Sequence, residues 1–150
     1  MRLIIQRVSQ ASVSINAAQT ADIQQGLLVF IGIEEADNSE DINYLVSKLI
    51  ALRIFSDADG KMNLNLQQVQ GQILLVSQFT LHASTKKGNR PSFIKAAKPE
   101  KAENLYQLFI NEILSQHGQA PQTGSFGADM KIALINDGPV TIIMDSKIKE

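Results

Sequence analysis

The chain has 150 residues, a formal net charge of −1 and no cysteine. That length suits one domain, residues 1–150, with enough chain to bury a core without crosslinks, and the lack of cysteine excludes disulfides, thiolate metal sites and a cysteine nucleophile. The near-neutral charge argues against a strongly basic nucleic-acid coat, and the only two histidines, His82 and His117, are too few for a multi-histidine metal site.

The first apolar segment does not have the pattern of a targeting signal. It carries Arg2 and Arg7, and no small-residue cleavage site follows a long apolar run. No segment approaches the roughly 18 apolar residues of a membrane span. Because a chain without cysteine is also compatible with a reducing compartment, we expect a cytoplasmic protein with no membrane partner.

Apolar runs predict three strands in the first third of the chain. Residues 3–8 and 12–15 are interpreted as a pair of strands, the second with clear alternation. Gly26 precedes the dense apolar run 27–31, which indicates a strand buried on both faces. Residues 37–39 then supply helix-start chemistry, and the apolar residues that follow at helical spacing predict a helix that covers a sheet.

The remaining elements complete an α/β pattern. Residues 56–63 superficially resemble a calcium loop, but they have too few carboxylates and are predicted to be an ordinary loop. Residues 73–76 form a buried strand, and Pro99 begins a second helix that ends near residues 117–118. Strands follow at 131–135 and 140–144. This order predicts an α/β three-layer sandwich of mixed and antiparallel β-sheets with two main α-helices.

Four residues at the end of the 73–76 strand are candidates for chemistry: Ser77, Gln78, Phe79 and Thr80. In an extended segment Ser77 and Phe79 face one way, and Gln78 and Thr80 the other. A hydroxyl needs a base to become a nucleophile, and none is evident nearby. Backbone N–H groups at the strand end are an alternative, as an oxyanion hole. The plainer interpretation is that the two hydroxyls bond backbone groups beside a turn.

Charge is concentrated in one segment. Residues 86–101 hold six of the 14 basic residues of the chain and one acid, Glu100, although the whole chain carries a net charge of −1. A solvated loop and an anion-binding patch both fit such a run. A patch of this size is suited to one end of an RNA and not to a whole duplex.

Three further residues have both a structural and a ligand-binding interpretation. Phe93 lies within the basic run and Phe126 lies among glycines, so either is suited to stacking on an unpaired base or to packing in the core. Arg7 sits inside an apolar strand, where an arginine is usually paired or extends to the surface.

The segment 136–141, with the sequence NDGPVT, stands between two apolar runs. Proline lacks the N–H that a β-ladder requires. One interpretation is therefore a hairpin turn, since Asn, Asp and Gly are turn formers and Gly138 can take a positive φ. The other is that the Gly138–Pro139 peptide is displayed for a ligand. Sequence alone does not decide between cis and trans at this bond.

Taken together, these segments closely resemble the D-aminoacyl-tRNA deacylase family, homodimeric proofreading enzymes also called D-tyrosyl-tRNA deacylases. The resemblance covers nearly the whole chain, and only the tail 146–150 is less typical. The segments that carry it are residues 6–8, 53–57, 60–63, 77–81, 90–93, 123–130 and 136–141.

The resemblance implies hydrolysis of the ester between a D-amino acid and the 3′-terminal adenosine of tRNA, with no cofactor or metal and no DNA partner. It also implies that Gly138–Pro139 is cis and enters the active site of the partner subunit, where its two carbonyl oxygens would clash with an L side chain. Glycine would pass, so mischarged glycyl-tRNA(Ala) is an expected substrate. The implied residues are Ser77, Gln78, Phe79 and Thr80 at the catalytic pocket, and Arg7, Phe126, Asn136, Gly138 and Pro139 for substrate binding and chiral selection.

The lack of a base beside Thr80 favours catalysis assisted by the 2′-hydroxyl of the substrate, because that group is already held next to the ester. Two other functions remain open: a non-catalytic RNA-binding or scaffold protein with the same fold, and a serine or threonine esterase acting on small esters.

Overall fold

The computed structural model describes residues 1–149 and contains eight strands and two α-helices within them. The elements, in chain order, are β1 (Arg2–Ile15), β2 (Ala18–Ile23), β3 (Gly26–Gly32), α1 (Ser39–Ala51), β4 (Phe55–Ser56), β5 (Met62–Leu64), β6 (Gln72–Ser77), a 3₁₀ turn (Phe79–His82), α2 (Pro99–His117), β7 (Gln122–Thr123) and β8 (Lys131–Asp145).

The main sheet is mixed. Its strand order is β2-β1-β3-β6-β7, and β8 also pairs with β1. The β3–β6 and β6–β7 pairs are parallel, whereas β1 pairs antiparallel with β2, β3 and β8. The short strands β4 and β5 form a separate antiparallel ladder that includes both ends of the predicted loop 56–63, so only residues 57–61 form the loop. The predicted α/β fold with two main helices and mixed and antiparallel sheets is confirmed.

Strand β1 corrects the predicted strand pair. Residues 3–8 and 12–15 do not pair with each other, because they belong to one strand of 14 residues. The first half of β1 lies between β3 and β8, and the second half lies between β2 and β8. Exposed Ser9 and Gln10 interrupt the apolar pattern without ending the strand. One partner of residues 11–15 is β2, a strand that the sequence patterns did not predict.

Both predicted helices are present. Asn38 caps α1 by accepting from the Glu40 N–H at 2.8 Å, and the Asp41 carboxylate accepts from the Asn38 N–H at 2.9 Å, which completes a capping box. Pro99 opens α2, and Gly118 ends it with φ 79°, a conformation that favours glycine. Each helix buries one apolar stripe against the sheet or the other helix.

The sheet separates two apolar cores. The larger lies between the sheet and the two helices, and the smaller lies between the opposite face of β3 and β6 and the β1–β2 ribbon. Leu27, Val29 and Ile31 of β3 point into the larger core and Leu28 into the smaller one. The prediction that this strand is buried on both faces is therefore confirmed. Within residues 1–149 no helix combines the length and the apolar character needed to cross a bilayer.

Strand β8 overturns the hairpin interpretation of residues 136–141. The segments before and after Pro139 both pair antiparallel with β1, so the chain keeps its direction. Gln6 pairs with Thr141 and Val8 pairs with Asn136, which leaves residues 137–140 opposite Arg7 alone. These four residues leave the ladder as a bulge. Pro139 is tolerated because its missing N–H falls where no ladder bond is made.

Candidate active site

A cavity of about 630 Å³ opens at the ends of the parallel strands β3 and β6. Strand ends contribute Ile31, Ser77 and Gln78, and the start of α2 contributes Pro99 and Ala102. The segment between β7 and β8 closes the opposite wall with Phe126, Gly127, Ala128, Asp129 and Met130. A large apolar cavity with a few convergent polar groups at strand ends is a usual ligand site in α/β folds.

The polar residues of the cavity follow from where β6 stops. Ser77 is its last residue and pairs with Ile31 of β3, and the Gln78 N–H still donates to the Ile31 carbonyl oxygen at 2.8 Å. The chain then turns into the 3₁₀ helix, so the alternating faces expected for residues 77–80 do not occur. Ser77, Gln78 and Phe79 all line the cavity, whereas Thr80 is not among the lining residues.

Thr80 is held from the side by its neighbour. Gln78 Nε2 donates to Thr80 Oγ1 at 2.5 Å. Among residues 1–149 neither histidine nor any carboxylate hydrogen-bonds Ser77 or Thr80. His82, the last residue of the turn, is buried with Nδ1 4.0 Å from Glu34 Oε2. The first N–H groups of a 3₁₀ turn have no acceptor within it, so those of Phe79 and Thr80 are available to a ligand. This end of β6 therefore offers backbone donors and no paired base.

Aromatic rings form two sides of the cavity. Phe79 and Phe93 meet edge to face with their centroids 5.1 Å apart, and Phe126 lies 5.8 Å from Tyr106. The Tyr106 hydroxyl donates to the Leu75 carbonyl oxygen at 2.9 Å, and burial raises the pKa of this tyrosine well above its ordinary value. Tyr106 is therefore a neutral, fixed support for the half-buried Phe126 ring.

The bulge of β8 is fixed at its base by Arg7, which is only 8% exposed. Arg7 Nε donates to the Asp137 carbonyl oxygen at 3.0 Å, and Nη1 donates to the Ile54 carbonyl oxygen at 2.6 Å. Nε also lies 3.2 Å from Asp137 Oδ2. The guanidinium thus connects the bulge to the chain segment that follows α1.

The tip of the bulge faces solvent. Gly138 and Pro139 are exposed, the peptide bond between them is cis, and Gly138 has φ 122°. A Cβ at Gly138 would collide with Arg7 Nη2 and lie 3.0 Å from Val140 Cγ2. With its amide turned to donate, Asn136 Nδ2 lies 2.9 Å from the Arg7 carbonyl oxygen and 3.3 Å from that of Val140. Asn136 therefore ties the two ends of the bulge together.

The predicted site residues fall into two groups. Ser77, Gln78, Phe79 and Phe126 line the cavity, with Thr80 beside them. The second group surrounds the bulge and does not line that cavity: Arg7, Asn136, Gly138 and Pro139. The structure thus brings each group together but does not unite the two within one chain.

Several cavity residues were missed by the sequence reasoning. Ala97 and Ala102 leave room in the wall, and Met130 lines it from the other side. A lone alanine or methionine carries no chemical signal in a sequence. These residues reach the cavity only through the tertiary fold, so no local sequence pattern identifies them. Among residues 1–149 there is no cluster of three or more His, Asp or Glu side chains arranged to hold a metal ion.

Comparison with protein families and curated sequences gives concordant matches. Residues 4–145 match the model of a family described as D-Tyr-tRNA(Tyr) deacylase. A D-aminoacyl-tRNA deacylase of Flavobacterium johnsoniae is 61% identical over 150 residues and one of Akkermansia muciniphila is 59% identical over 150 residues, each covering 100% of both chains.

Solved structures give the same fold. A structure titled c-Myc DNA unwinding element binding protein has a TM-score of 0.90 and 36% identity, and the match covers 97% of this chain and 98% of that one. A probable eukaryotic D-amino acid tRNA deacylase has a TM-score of 0.76 and 18% identity over 95% and 97% of the two chains. At that identity the second likeness supports the fold alone.

Proposed function

The chain belongs to the D-Tyr-tRNA(Tyr) deacylase family, and on that basis we propose that its cavity takes the 3′-terminal aminoacyl-adenosine of a transfer RNA. It is a hydrolase with D-aminoacyl-tRNA deacylase activity, releasing free amino acid and tRNA. The observation that carries the proposal is a cavity of about 630 Å³ whose lining includes Ser77, Gln78, Phe79 and Phe126. Action on tRNA fits a cytoplasmic location.

Chiral selection comes from the bulge. The carbonyl oxygens of Gly138 and Pro139 face the α-carbon of the substrate, so an L side chain meets them and a D side chain points away. Support comes from the exposure of both residues and from the Arg7 contacts that hold the base of the bulge. Backbone atoms discriminate by direction and not by side-chain type, so the enzyme acts on many D-amino acids.

The bulge acts in the cavity of a second copy of the chain, which makes the enzyme a homodimer with sites at the interface. Two observations support this arrangement. Gly138 and Pro139 do not line the cavity of their own chain. Strand β8 has no partner on its outer edge among residues 1–149, and Leu134, Ile135 and Ile143 of this strand are exposed apolar side chains. An open apolar edge of this kind usually belongs to an interface.

The chemical step relies on the substrate. The 2′-hydroxyl of the terminal ribose assists the attack of water on the ester carbonyl carbon, and the N–H groups of Phe79 and Thr80 stabilise the developing oxyanion. Collapse of this intermediate breaks the bond to the ribose 3′-oxygen, which takes up a proton and leaves as the 3′-hydroxyl of the tRNA. The support is that no base hydrogen-bonds Ser77 or Thr80 within residues 1–149. Phe126 stacks near the terminal adenine, with Tyr106 behind it.

Hydrolysis of D-tyrosyl-tRNA compared with L-tyrosyl-tRNA tests the function. We expect the pure protein to cleave the D ester and spare the L ester. No cleavage of the D ester would contradict the enzyme assignment and leave an RNA-binding scaffold. Glycyl-tRNA(Ala) is the third substrate in the series and should be cleaved, since glycine has no side chain to meet the carbonyl oxygens.

The mechanism is tested with one protein variant and one substrate variant. Thr80→Ala should keep kcat within about fivefold, because orientation and electrostatics do not depend on this hydroxyl. Replacing the terminal 2′-hydroxyl with hydrogen should lower kcat by about 10²-fold or more, since the positioned neighbouring group is lost. Loss of activity in Thr80→Ala together with normal cleavage of the 2′-deoxy substrate would instead identify a threonine esterase.

Subunit mixing tests the cross-subunit arrangement. Ser77→Phe fills the cavity and leaves β8 intact, whereas Gly138→Ala disturbs the bulge and leaves the cavity intact. A mixed dimer joins the intact cavity of the second variant to the intact bulge of the first. We expect the D-to-L cleavage ratio of the mixture to rise above that of Gly138→Ala alone. An unchanged ratio would mean that each bulge serves its own chain.

A further inference from the structure

The basic run of the sequence forms a band of unpaired cations. Within residues 1–149, Lys86, Lys87, Arg90, Lys95 and Lys98 have no carboxylate within 4.0 Å, whereas Lys101 pairs with Glu35. All five side chains are exposed. We call residues 84–98 the basic rim.

The basic rim is closed at its base and fastened to the sheet. Ser84 and Ser92 exchange two backbone hydrogen bonds of 2.8 and 2.9 Å, which closes the loop that carries Lys86, Lys87 and Arg90. Further along, the Ala97 N–H donates to the Ile33 carbonyl oxygen at 2.9 Å, and the Glu35 N–H donates to the Lys95 carbonyl oxygen at 3.2 Å. These bonds hold the cations in a defined position relative to the end of β3.

The second half of the basic rim borders the cavity. Phe93, the residue after Ser92, packs against Phe79 with centroids 5.1 Å apart and lines the cavity. Ala96 and Ala97, between Lys95 and Lys98, line it as well. A molecule whose end fills the cavity therefore lies beside the segment that carries Lys95 and Lys98.

We propose that the basic rim binds the sugar-phosphate backbone of the tRNA acceptor end while the cavity holds the aminoacylated adenosine. This inference rests on the proposed function. The five cations are exposed and have no carboxylate partner among the described residues, so their charge attracts a polyanion. The rest of the chain is acidic overall, which confines that attraction to the rim. A backbone held only by charge carries no sequence information, so the rim serves every tRNA alike.

The test uses two double variants that remove the same charge. Lys86→Gln/Lys87→Gln alters the rim, and Lys48→Gln/Lys149→Gln alters two lysines that lie over the Tyr44 ring, outside the cavity lining. Two substrates are compared: D-tyrosyl-tRNA and D-tyrosyl-adenosine, which has no phosphate. For the rim variant we expect KM for the tRNA to rise about tenfold at about 0.1 M salt, while kcat stays within about twofold. We also expect the slope of log KM against log salt concentration to become smaller by about one to two.

The rim variant should cleave D-tyrosyl-adenosine as the wild type does, and the control variant should match the wild type on both substrates. An unchanged KM and salt dependence for tRNA would overturn the inference, and so would an equal loss on D-tyrosyl-adenosine. Weaker binding of a DNA duplex with an unchanged KM for tRNA would assign the rim to DNA and also overturn it. Failure of the proposed function looks different, because the wild type would then cleave neither ester.

Discussion

Gly138 stands at a position that any larger residue would disturb. Its φ of 122° disfavours L side chains, and a Cβ would collide with Arg7 Nη2. Gly138→Ala should therefore cost about 1–2 kcal/mol for the backbone conformation alone and should also displace Arg7 from the bulge. We expect the D-to-L cleavage ratio to fall by about tenfold, since a shift of about 1 Å is enough to misdirect a positioned group.

Gly60 provides the matched control for this substitution. It has φ 77° in an exposed loop, and a Cβ there would meet nothing within 4 Å. Gly60→Ala should carry only the backbone cost of about 1–2 kcal/mol in the free energy of unfolding, and it should leave the D-to-L ratio unchanged. Equal effects of the two substitutions on that ratio would contradict a specific role for Gly138.

Arg7 makes hydrogen bonds that the side chain of a lysine cannot reproduce. Its guanidinium reaches the Asp137 and Ile54 carbonyl oxygens together, whereas a lysine ammonium is a single point charge. Arg7→Met leaves both acceptors unpaired and should lower the free energy of unfolding by about 2–4 kcal/mol. Arg7→Lys should fall between that variant and the wild type in urea unfolding.

Arg53 is the comparison for Arg7, because it also bridges two acceptors, both on Asn63, but is exposed to solvent. Arg53→Met should lower the free energy of unfolding by less than about 1 kcal/mol, since water replaces the lost hydrogen bonds. A cost as large as that of Arg7→Met would show that burial is not what makes Arg7 important.

At the residue scale, the sequence predicted chemistry where a polar motif ends an apolar run. Ser77, Gln78 and Phe79 were found in this way and do line the cavity. The side on which each lies was not predictable, because the 3₁₀ turn that begins at Phe79 replaces the alternation of a strand. The turn follows a hydrogen bond from the Gln78 N–H to Ile31 of β3, a strand that lies far away in sequence.

At the scale of elements, α1 shows how one carboxylate links a helix to the end of the chain. Burial acts to raise the pKa of Asp41, but hydrogen bonds from Lys147, Ser146 and the Asn38 N–H outweigh it and lower the pKa from 3.8 to about 2. A pKa that is lower in the folded state stabilises the protein above the unfolded value. That stabilisation, about 2 kcal/mol, is lost as the pH falls from 3.8 to about 2.

Asp41→Asn tests this linkage, since the amide oxygen can still accept from the Asn38 N–H while the charge is removed. We expect the variant to be less stable than the wild type by about 2 kcal/mol at neutral pH and the difference to shrink below about pH 3. Urea unfolding at several pH values measures it. A difference that stays constant with pH would mean that the lost interaction is not electrostatic.

Elements with strong local signals were predicted and those defined by distant pairing were not. Both helices have caps and a 3.6-residue apolar period, which are local properties. The continuity of β1, the short edge strand β2 and the bulge in β8 all depend on which strand lies opposite. No window of the sequence contains that information, so residues 136–141 were compatible with a hairpin until β1 was seen on both sides.

At the scale of the whole molecule, the exposed edge of β8 predicts how the active enzyme is assembled. Ile135 is 52% exposed on that strand. Ile135→Lys should weaken the proposed dimer and lower cleavage of D-tyrosyl-tRNA in parallel, because a charge buried at an apolar interface is costly. Sedimentation velocity and activity at matched protein concentrations measure both effects.

Leu114 is the control for the edge substitution, being 47% exposed on α2 and not on β8. Leu114→Lys should leave both the sedimentation coefficient and the activity unchanged. A wild-type protein that sediments as a monomer and still cleaves the D ester would contradict the dimer altogether.

Strand β3 also determines how cooperatively the protein unfolds. Because neighbouring residues of this strand enter opposite cores, neither core can melt without exposing the other side of the same strand. Ile31, near the end of the strand, lines the cavity, so loss of catalysis on heating should coincide with global melting and not precede it. The temperature at which deacylase activity is lost should then equal the melting temperature of the whole domain, because β3 couples the two cores.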